Sequence, residues 1–326
     1  TVLIRVKYKE RKINTTMENT RAKTTRNSLI LLLTATIWGM AFVSQSKGMD
    51  YMHPFTFNGV RSLIGAAGIL VYILISRKIA GDKAAPLDWK LNVRAGLLCG
   101  IFLTIASTLQ QFGIKYTSVG KAGFITTLYI IFVPMFGVFL KKKVAPVVWA
   151  AAGMAAVGMY LLCMTESLRL GAGDIMVFLC AIAFAIQIMT VDHYAARIDG
   201  AVVSCIQFTV CGVVCCIGAL IWGQPTFGQI QEGLGALLYA GVLSCGVGYT
   251  LQIVGQKGLN PTVAALIMSL ESVIATISGW IAYKIGFLST DQTLTPRQIA
   301  GCVIVFAAVI LVQLPPEWFR FGKKND

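Results

Sequence analysis

Apolar residues run along this chain in long blocks separated by brief polar breaks. A membrane-crossing helix needs about 20 mostly apolar residues. Blocks of that kind lie at 28–46, 55–76, 93–112, 120–140, 147–165, 174–191, 201–222, 234–254, 262–283 and 297–314. The breaks carry turn residues: His53-Pro54, Gly81-Asp82, Gly171-Ala172-Gly173 and Asn260-Pro261. This pattern predicts an all-α integral membrane protein of ten transmembrane helices. No connection is long enough to hold a soluble catalytic domain.

Composition agrees. Of 326 residues, 56% are apolar and 13% charged, against about 25% charged in a soluble domain. The net charge of +14 sits almost wholly outside the apolar blocks, so it is no nucleic-acid footprint, and no nucleic acid is expected as a partner. It orients the chain instead, because basic loops stay on the cytoplasmic side. With the N-terminus inside, twenty-one Lys and Arg lie on the inner side and six on the outer, with Arg61 left within a span. Both termini are therefore expected to be cytoplasmic, residues 1–27 as a basic tail and 315–326 as a second tail. Residues 1–27 lack the apolar stretch and cleavage site of a secretory signal. Residues 1–16 read as an upstream extension of the frame, with Met17 beginning a shorter tail. The nine cysteines all fall inside apolar blocks without a C-x-x-C pair. They read as packing residues, and no metal site is expected.

The two halves echo each other. At a shift of 142, Gln110 meets Gln252, Gly113 meets Gly255, Lys115 meets Lys257 and Leu128 meets Leu270. At a shift of 146, Ala35 meets Ala181 and Arg61 meets Gln207. This divides the chain into five-helix repeats at 28–165 and 166–314. Five is odd, so the second repeat runs inverted in the membrane, a plan that puts a transporter's site near the midplane between halves. Close packing is written in as well. Gly96, Gly100, Thr104 and Thr108 recur at four-residue spacing, as do Ala236, Ala240, Ser244 and Gly248. Small residues at that spacing let helix backbones approach, at an interface that either slides or is static.

Two charges lie deep within the blocks, away from their edges. A charged side chain at mid-bilayer costs a few kcal/mol, roughly 2.5–3.5 on insertion scales, and marks a functional site by default. Glu271 sits in 261-PTVAALIMSLESVIATISGWIAY. It is either a proton-coupling carboxyl, whose surroundings alternate between wet and dry, or a structural one bonded to a hydroxyl. Arg61 offers a planar fork to a carboxylate or phosphate; the alternatives are pairing with Glu271 or snorkelling to the outer surface. Trp38, Tyr129, Phe184 and Trp280 lie near mid-span, as an aromatic wall or as packing. Gln45, Asn58, Gln110, Gln111, Gln187, Gln207 and Gln252 supply neutral polar groups to a path. Asp174 reads as a helix-start residue, and Lys141-Lys142-Lys143 as an inner-surface anchor.

Three stretches together resemble the drug/metabolite transporter superfamily, specifically its EamA-like ten-helix bacterial members. They are 29-LILLLTATIWGMAFVSQSKGMDYMHPFTFNGVRSLIGA, 115-KYTSVGKAGFITTLYIIFVP and 260-NPTVAALIMSLESVIA, and the resemblance covers roughly 28–314. Where the family often has proline after the span-nine glutamate, Ser272 follows here, which removes an expected kink. The resemblance implies a secondary transporter in the bacterial inner membrane, an exporter of small metabolites such as amino-acid-like or amphipathic compounds. Alternating access would carry it, and protons are a candidate driving force. A lipid-carrier translocase or multidrug efflux protein is the alternative, and a membrane-embedded lipid-modifying enzyme a remote one. No phosphate-binding loop is present, His53 and His193 are far apart, and no cofactor is expected. The partners are a small-molecule substrate and the lipid bilayer, and the sequence leaves room for a homodimer.

Overall fold

The computed structural model describes residues 2–81, 86–117, 119–141, 144–163, 171–288 and 293–313. The tail 315–326, together with Lys142 and Lys143 of the basic cluster, lies outside the described residues. Among the described residues the chain is helical throughout, with no strand. The helices are α1 Val2–Gly48, α2 Pro54–Ala80, α3 Trp89–Tyr116, α4 Val119–Thr127, α5 Tyr129–Phe139, α6 Pro146–Cys163 and α7 Ala172–Tyr194. Then come α8 Gly200–Gly218, α9 Phe227–Glu232, α10 Leu234–Leu238, α11 Tyr249–Gln256, α12 Pro261–Met268, α13 Glu271–Lys284 and α14 Pro296–Gln313. π-helical turns extend α8 to Gly223 and join α10 to α11. Among the described residues, eight continuous or near-continuous helical stretches are long and apolar enough to cross a membrane, and α6 and α14 are apolar but shorter.

The turn residues of the sequence act as caps. His53 and Asn260 accept backbone N–H bonds from Phe55 and Thr262, and each precedes a proline at the first helical position. There the missing N–H costs nothing and the fixed φ already suits a helix. Asp88 and Asp199 cap α3 and α8 in the same way. Burial, then the charge of Lys115, pushes the His53 imidazole below its ordinary range. Its Nδ1 thus stays free to accept the Phe55 N–H at 3.4 Å.

Two expected spans are broken near their middles. The block 120–140 divides at Leu128 into α4 and α5, and 262–283 divides at Ser269–Leu270 into α12 and α13. Both breaks keep right-handed backbone with ψ flattened to −10° at Leu128 and −14° at Leu270. The second break occurs without the proline whose absence predicted a straighter helix. Hydroxyls bond back to the chain at this break: Ser269 Oγ donates to Leu266 O at 2.7 Å and Ser272 Oγ to Ser269 O at 2.8 Å. Thr127 bonds back to Gly123 and Phe124 in the first break. Such back-bonding competes with the helical ladder and bends it.

Packing is pairwise, with α3 and α8 running parallel, as Gly96 faces Ile206 and Gly100 faces Val210. Helix α2 lies on α8, α3 on α7 and α8, α6 on α14, and α1 on α13 and the α10–α11 stretch. The small residues flagged in the sequence sit at these contacts. A methyl on Gly96 would meet Ile206 at 2.6 Å, and one on Gly100 would meet Val210 at 2.9 Å. Ala236, Ala240, Ser244 and Gly248 are all buried. The largest core cluster runs through the middle of the bundle, from Leu31 and Trp38 on α1 to Met268 on α12 and Val305 on α14.

Candidate functional site

A cavity lies within that core, lined by α1, α2, α3, α4, α5, α7, α8, the α10–α11 stretch and α13. Its empty space, counted out to its mouth, is about 590 Å³. Nine of the thirteen residues named from the sequence as coupling, aromatic-wall or path groups line it: Glu271, Arg61, Trp38, Tyr129, Phe184, Gln45, Gln110, Gln187 and Gln252.

Glu271 opens α13 at the helix break and is 4% exposed. Tyr129, which opens α5 at the other break, donates its hydroxyl to Glu271 Oε1 at 3.1 Å. The two breaks therefore bring one carboxyl and one phenol together. Arg61 lies on α2, 5% exposed, with its guanidinium 5.3 Å over the Phe57 ring. Its Nε has no hydrogen-bond partner. Among the described residues no carboxylate lies within salt-bridge reach of it. Of the alternatives the sequence left open, Arg61 neither pairs with Glu271 nor snorkels to the surface. Both charges face one cavity, unpaired with each other.

The neutral groups are mostly matched. Gln187 and Gln252 exchange amide bonds at 3.1 and 3.5 Å across α7 and α11. Gln110 donates to Thr126 Oγ1 at 3.2 Å. One wall is aromatic: Trp38 and Tyr249 pack at 4.5 Å between centroids with their planes tilted by 51°, and Phe208 meets Tyr249 edge-on at 5.0 Å. The Trp38 indole donates to Ser244 O at 3.4 Å, so the ring is fixed.

The other four lie elsewhere. Gln111 is fully buried and donates to Gln45 O at 3.1 Å. Asn58 is turned toward α3, where its amide donates to Ser107 O at 2.9 Å. Gln207 is fully buried with both amide atoms unpartnered; its neighbour Phe208, about 100° further round the helix, lines the cavity instead. Trp280 is half-buried and nine residues beyond Glu271, which is about two and a half turns and so the opposite face. The sequence reading passed over Tyr249, Phe208, Ser62, Cys245 and Thr126, which line the cavity. Tyr249 carried the same mid-span tyrosine signal as Tyr129. The other four looked like any small or aromatic packing residue.

At one end of the bundle a different charge arrangement holds α7 to α3 and α4. Asp174 is 3% exposed. It accepts from Lys121 Nζ at 2.6 Å, Thr117 Oγ1 at 2.8 Å and Gly171 N at 2.8 Å. It starts the helix, as read from the sequence, and ties three segments as well. At the opposite end, Asn27 on α1 donates to Lys257 O after α11 at 2.7 Å.

The sequence model of the EamA-like transporter family matches residues 26–164 and again 171–314. The chain belongs to the EamA-like transporter family. This family lies within the drug/metabolite transporter superfamily, so the protein is a multi-pass membrane transporter and not an enzyme. An uncharacterized transporter of Archaeoglobus fulgidus is 28% identical over 290 residues, covering 87% of this chain and 84% of that protein. The uncharacterized transporter YwfM of Bacillus subtilis is 24% identical over 295 residues, covering 89% and 94%. A crystal structure at 16% identity superposes with a TM-score of 0.70 over 91% of this chain and 99% of its own, a likeness of fold alone.

Proposed function

We propose that this transporter exports small metabolites, amino-acid-like or amphipathic, from the bacterial cytoplasm by alternating access around the central cavity. In this reading α6 and α14 also span, giving ten transmembrane helices in two inverted five-helix repeats with both termini cytoplasmic. The observation that carries it is the cavity itself. Helices of both family-matched segments line it, and it holds two intramembrane charges beside an aromatic wall.

Several features support the repeat. The family model matches twice. The breaks at Leu128 and Leu270 are 142 residues apart, the shift at which the halves align. The hydrogen bond between Tyr129 and Glu271 then joins equivalent positions of the two halves. The contacts of α2 with α8 and of α6 with α14 each join an element to its counterpart. Broken helices near the midplane are how such transporters present polar groups to cargo. Arg61 serves as the contact for an anionic group of the substrate and Glu271 as the proton-coupling carboxyl. The direction of transport rests on the family resemblance.

The test uses purified protein in liposomes loaded with amino acids, sugars and nucleosides. Efflux is followed by mass spectrometry under pH gradients of both signs, for the native protein and Glu271→Gln. Selective efflux that responds to the gradient, with the response lost in the variant, is expected. Efflux of none of these compounds by folded protein would overturn the metabolite assignment and favour lipid-like or xenobiotic cargo. A gradient response that survives in Glu271→Gln would remove Glu271 from the coupling.

A further inference from the structure

A second recess lies at the end of the bundle where α2, α7 and α11 finish and α3 and α8 begin. Its empty space, counted out to its mouth, is about 1320 Å³. It shares no lining residue with the central cavity. On α2 the buried residues Ala66 and Ile69 lie between the stretches that line the two.

Three cations from three helix ends line this recess: Arg77 in the last turn of α2, Arg197 just beyond α7, and Lys257 just beyond α11. Two are held in place by backbone carbonyls. Lys257 Nζ donates to Ile198 O at 3.2 Å, and Arg197 Nη2 to His193 O at 3.3 Å. Two acids, Asp88 and Asp199, also line the recess. Each is engaged as a helix cap: Asp88 accepts from Leu91 N at 3.0 Å, and Asp199 from Ala201 N and Val202 N at 2.9 and 3.2 Å. The recess is therefore net positive. Its floor is built rather than incidental, because buried Asn92 donates to Asp88 O at 2.8 Å and accepts from Asp199 N at 2.9 Å.

The recess also adjoins an exposed apolar surface. Tyr72 on its wall is 61% exposed, and α2 continues that apolar strip with Ile75 and Ile79. Next to Asp88, Trp89 is 60% exposed, with Lys90 and Arg94 beside it on α3. An exposed tryptophan among basic residues marks the membrane interface. Cations at headgroup depth beside an apolar groove match a lipid with a negative head and acyl tails. Basic pockets between membrane helices on the cytoplasmic side bind such headgroups.

We propose that this recess binds the phosphate of an anionic phospholipid of the cytoplasmic leaflet, with an acyl chain lying along α2. The leaflet rests on the proposed orientation; the chemistry of the site does not. Lipid bound between the ends of α2, α7, α8 and α11 would bridge both halves at the inner end.

The experiment is native mass spectrometry and thermal unfolding of the full chain, delipidated and then given phosphatidylglycerol, phosphatidylcholine, inorganic phosphate or glycerol 3-phosphate. The native protein is compared with Arg77→Gln, Lys257→Gln and the double variant. Retention of phosphatidylglycerol over phosphatidylcholine is expected, with a matching rise in unfolding temperature. Binding should weaken roughly fivefold for each cation removed. Equal stabilisation by inorganic phosphate or glycerol 3-phosphate would overturn the lipid assignment and make the recess a site for a soluble anion. Undiminished phosphatidylglycerol binding in the folded double variant, or no preference over phosphatidylcholine, would overturn the site. None of these readouts depends on transport, so the proposed function and this site can fail separately.

Discussion

Two buried charge sites in this transporter are built to opposite plans. At the end of the bundle where α4 and α7 begin, Asp174 receives a lysine, a hydroxyl and a backbone amide at 2.6–2.8 Å. In the central cavity Arg61 has no carboxylate in reach among the described residues, and Glu271 receives one tyrosine hydroxyl at 3.1 Å. All three are at most 5% exposed. Burial alone therefore does not separate a structural charge from a working one. Saturation does: the partners that fix Asp174 leave it nothing to offer a ligand. Arg61 retains donors and a desolvated site in which a substrate anion gains the full value of pairing.

The sharpest way to break this contrast is to remove one partner at each place. Lys121→Met leaves Asp174 buried without its cation and should cost about 3 kcal/mol, the low end for breaking a buried pair, because two hydrogen bonds remain. Thermal and denaturant unfolding in micelles would read the loss, and Lys121→Met with Asp174→Asn should recover much of it. A cost below about 1 kcal/mol would place the pair among ordinary surface bridges and erase the contrast. Arg61→Met should behave oppositely. Stability should hold or rise, since an unpaired buried charge is replaced by an apolar chain. Efflux should fall at least about tenfold, reflecting a lost charge-assisted contact of about 1.5–3 kcal/mol. Unfolding of the variant would instead make Arg61 structural.

Smaller effects sharpen the picture. Tyr129→Phe removes the one hydroxyl on Glu271 and should cost about 1 kcal/mol of stability, while shifting the pH profile of efflux. An unchanged profile would separate the hydrogen bond from any coupling role. The least effect is expected at His53. Its imidazole is held below the ordinary range, so folding favours the neutral form. The stability it contributes is complete above pH about 6.5 and is lost as pH falls through its lowered value, when Nδ1 can no longer cap α2. His53→Asn, which keeps a capping oxygen, should flatten that part of the stability–pH curve. An equal slope in the variant would assign the dependence to another group.

Much of the candidate site was legible before any coordinates. A carboxylate and a guanidinium inside apolar blocks are costly, so Glu271 and Arg61 stood out, and both line the cavity. The amides and aromatics were legible as a set and less so individually. Gln187 and Gln252 face the cavity, whereas Asn58, Gln207 and Trp280 do not. Blocks that are apolar on all sides carry little phase information, so a helix can be turned by one residue without altering its pattern.

Hydropathy and charge by themselves determined that this chain is helical and embedded in lipid. A bilayer core leaves a backbone few ways to satisfy its polar groups, and long apolar blocks select the helix. The capping pairs His53-Pro54 and Asn260-Pro261 likewise fixed where α2 and α12 begin, because those preferences are local. Tertiary structure decided the rest. The meeting of Tyr129 with Glu271 spans 142 residues. The isolation of Arg61 and the saturation of Asp174 depend on which helices cross and at what rotation. Those relations are long-range, and a one-dimensional pattern carries no record of them.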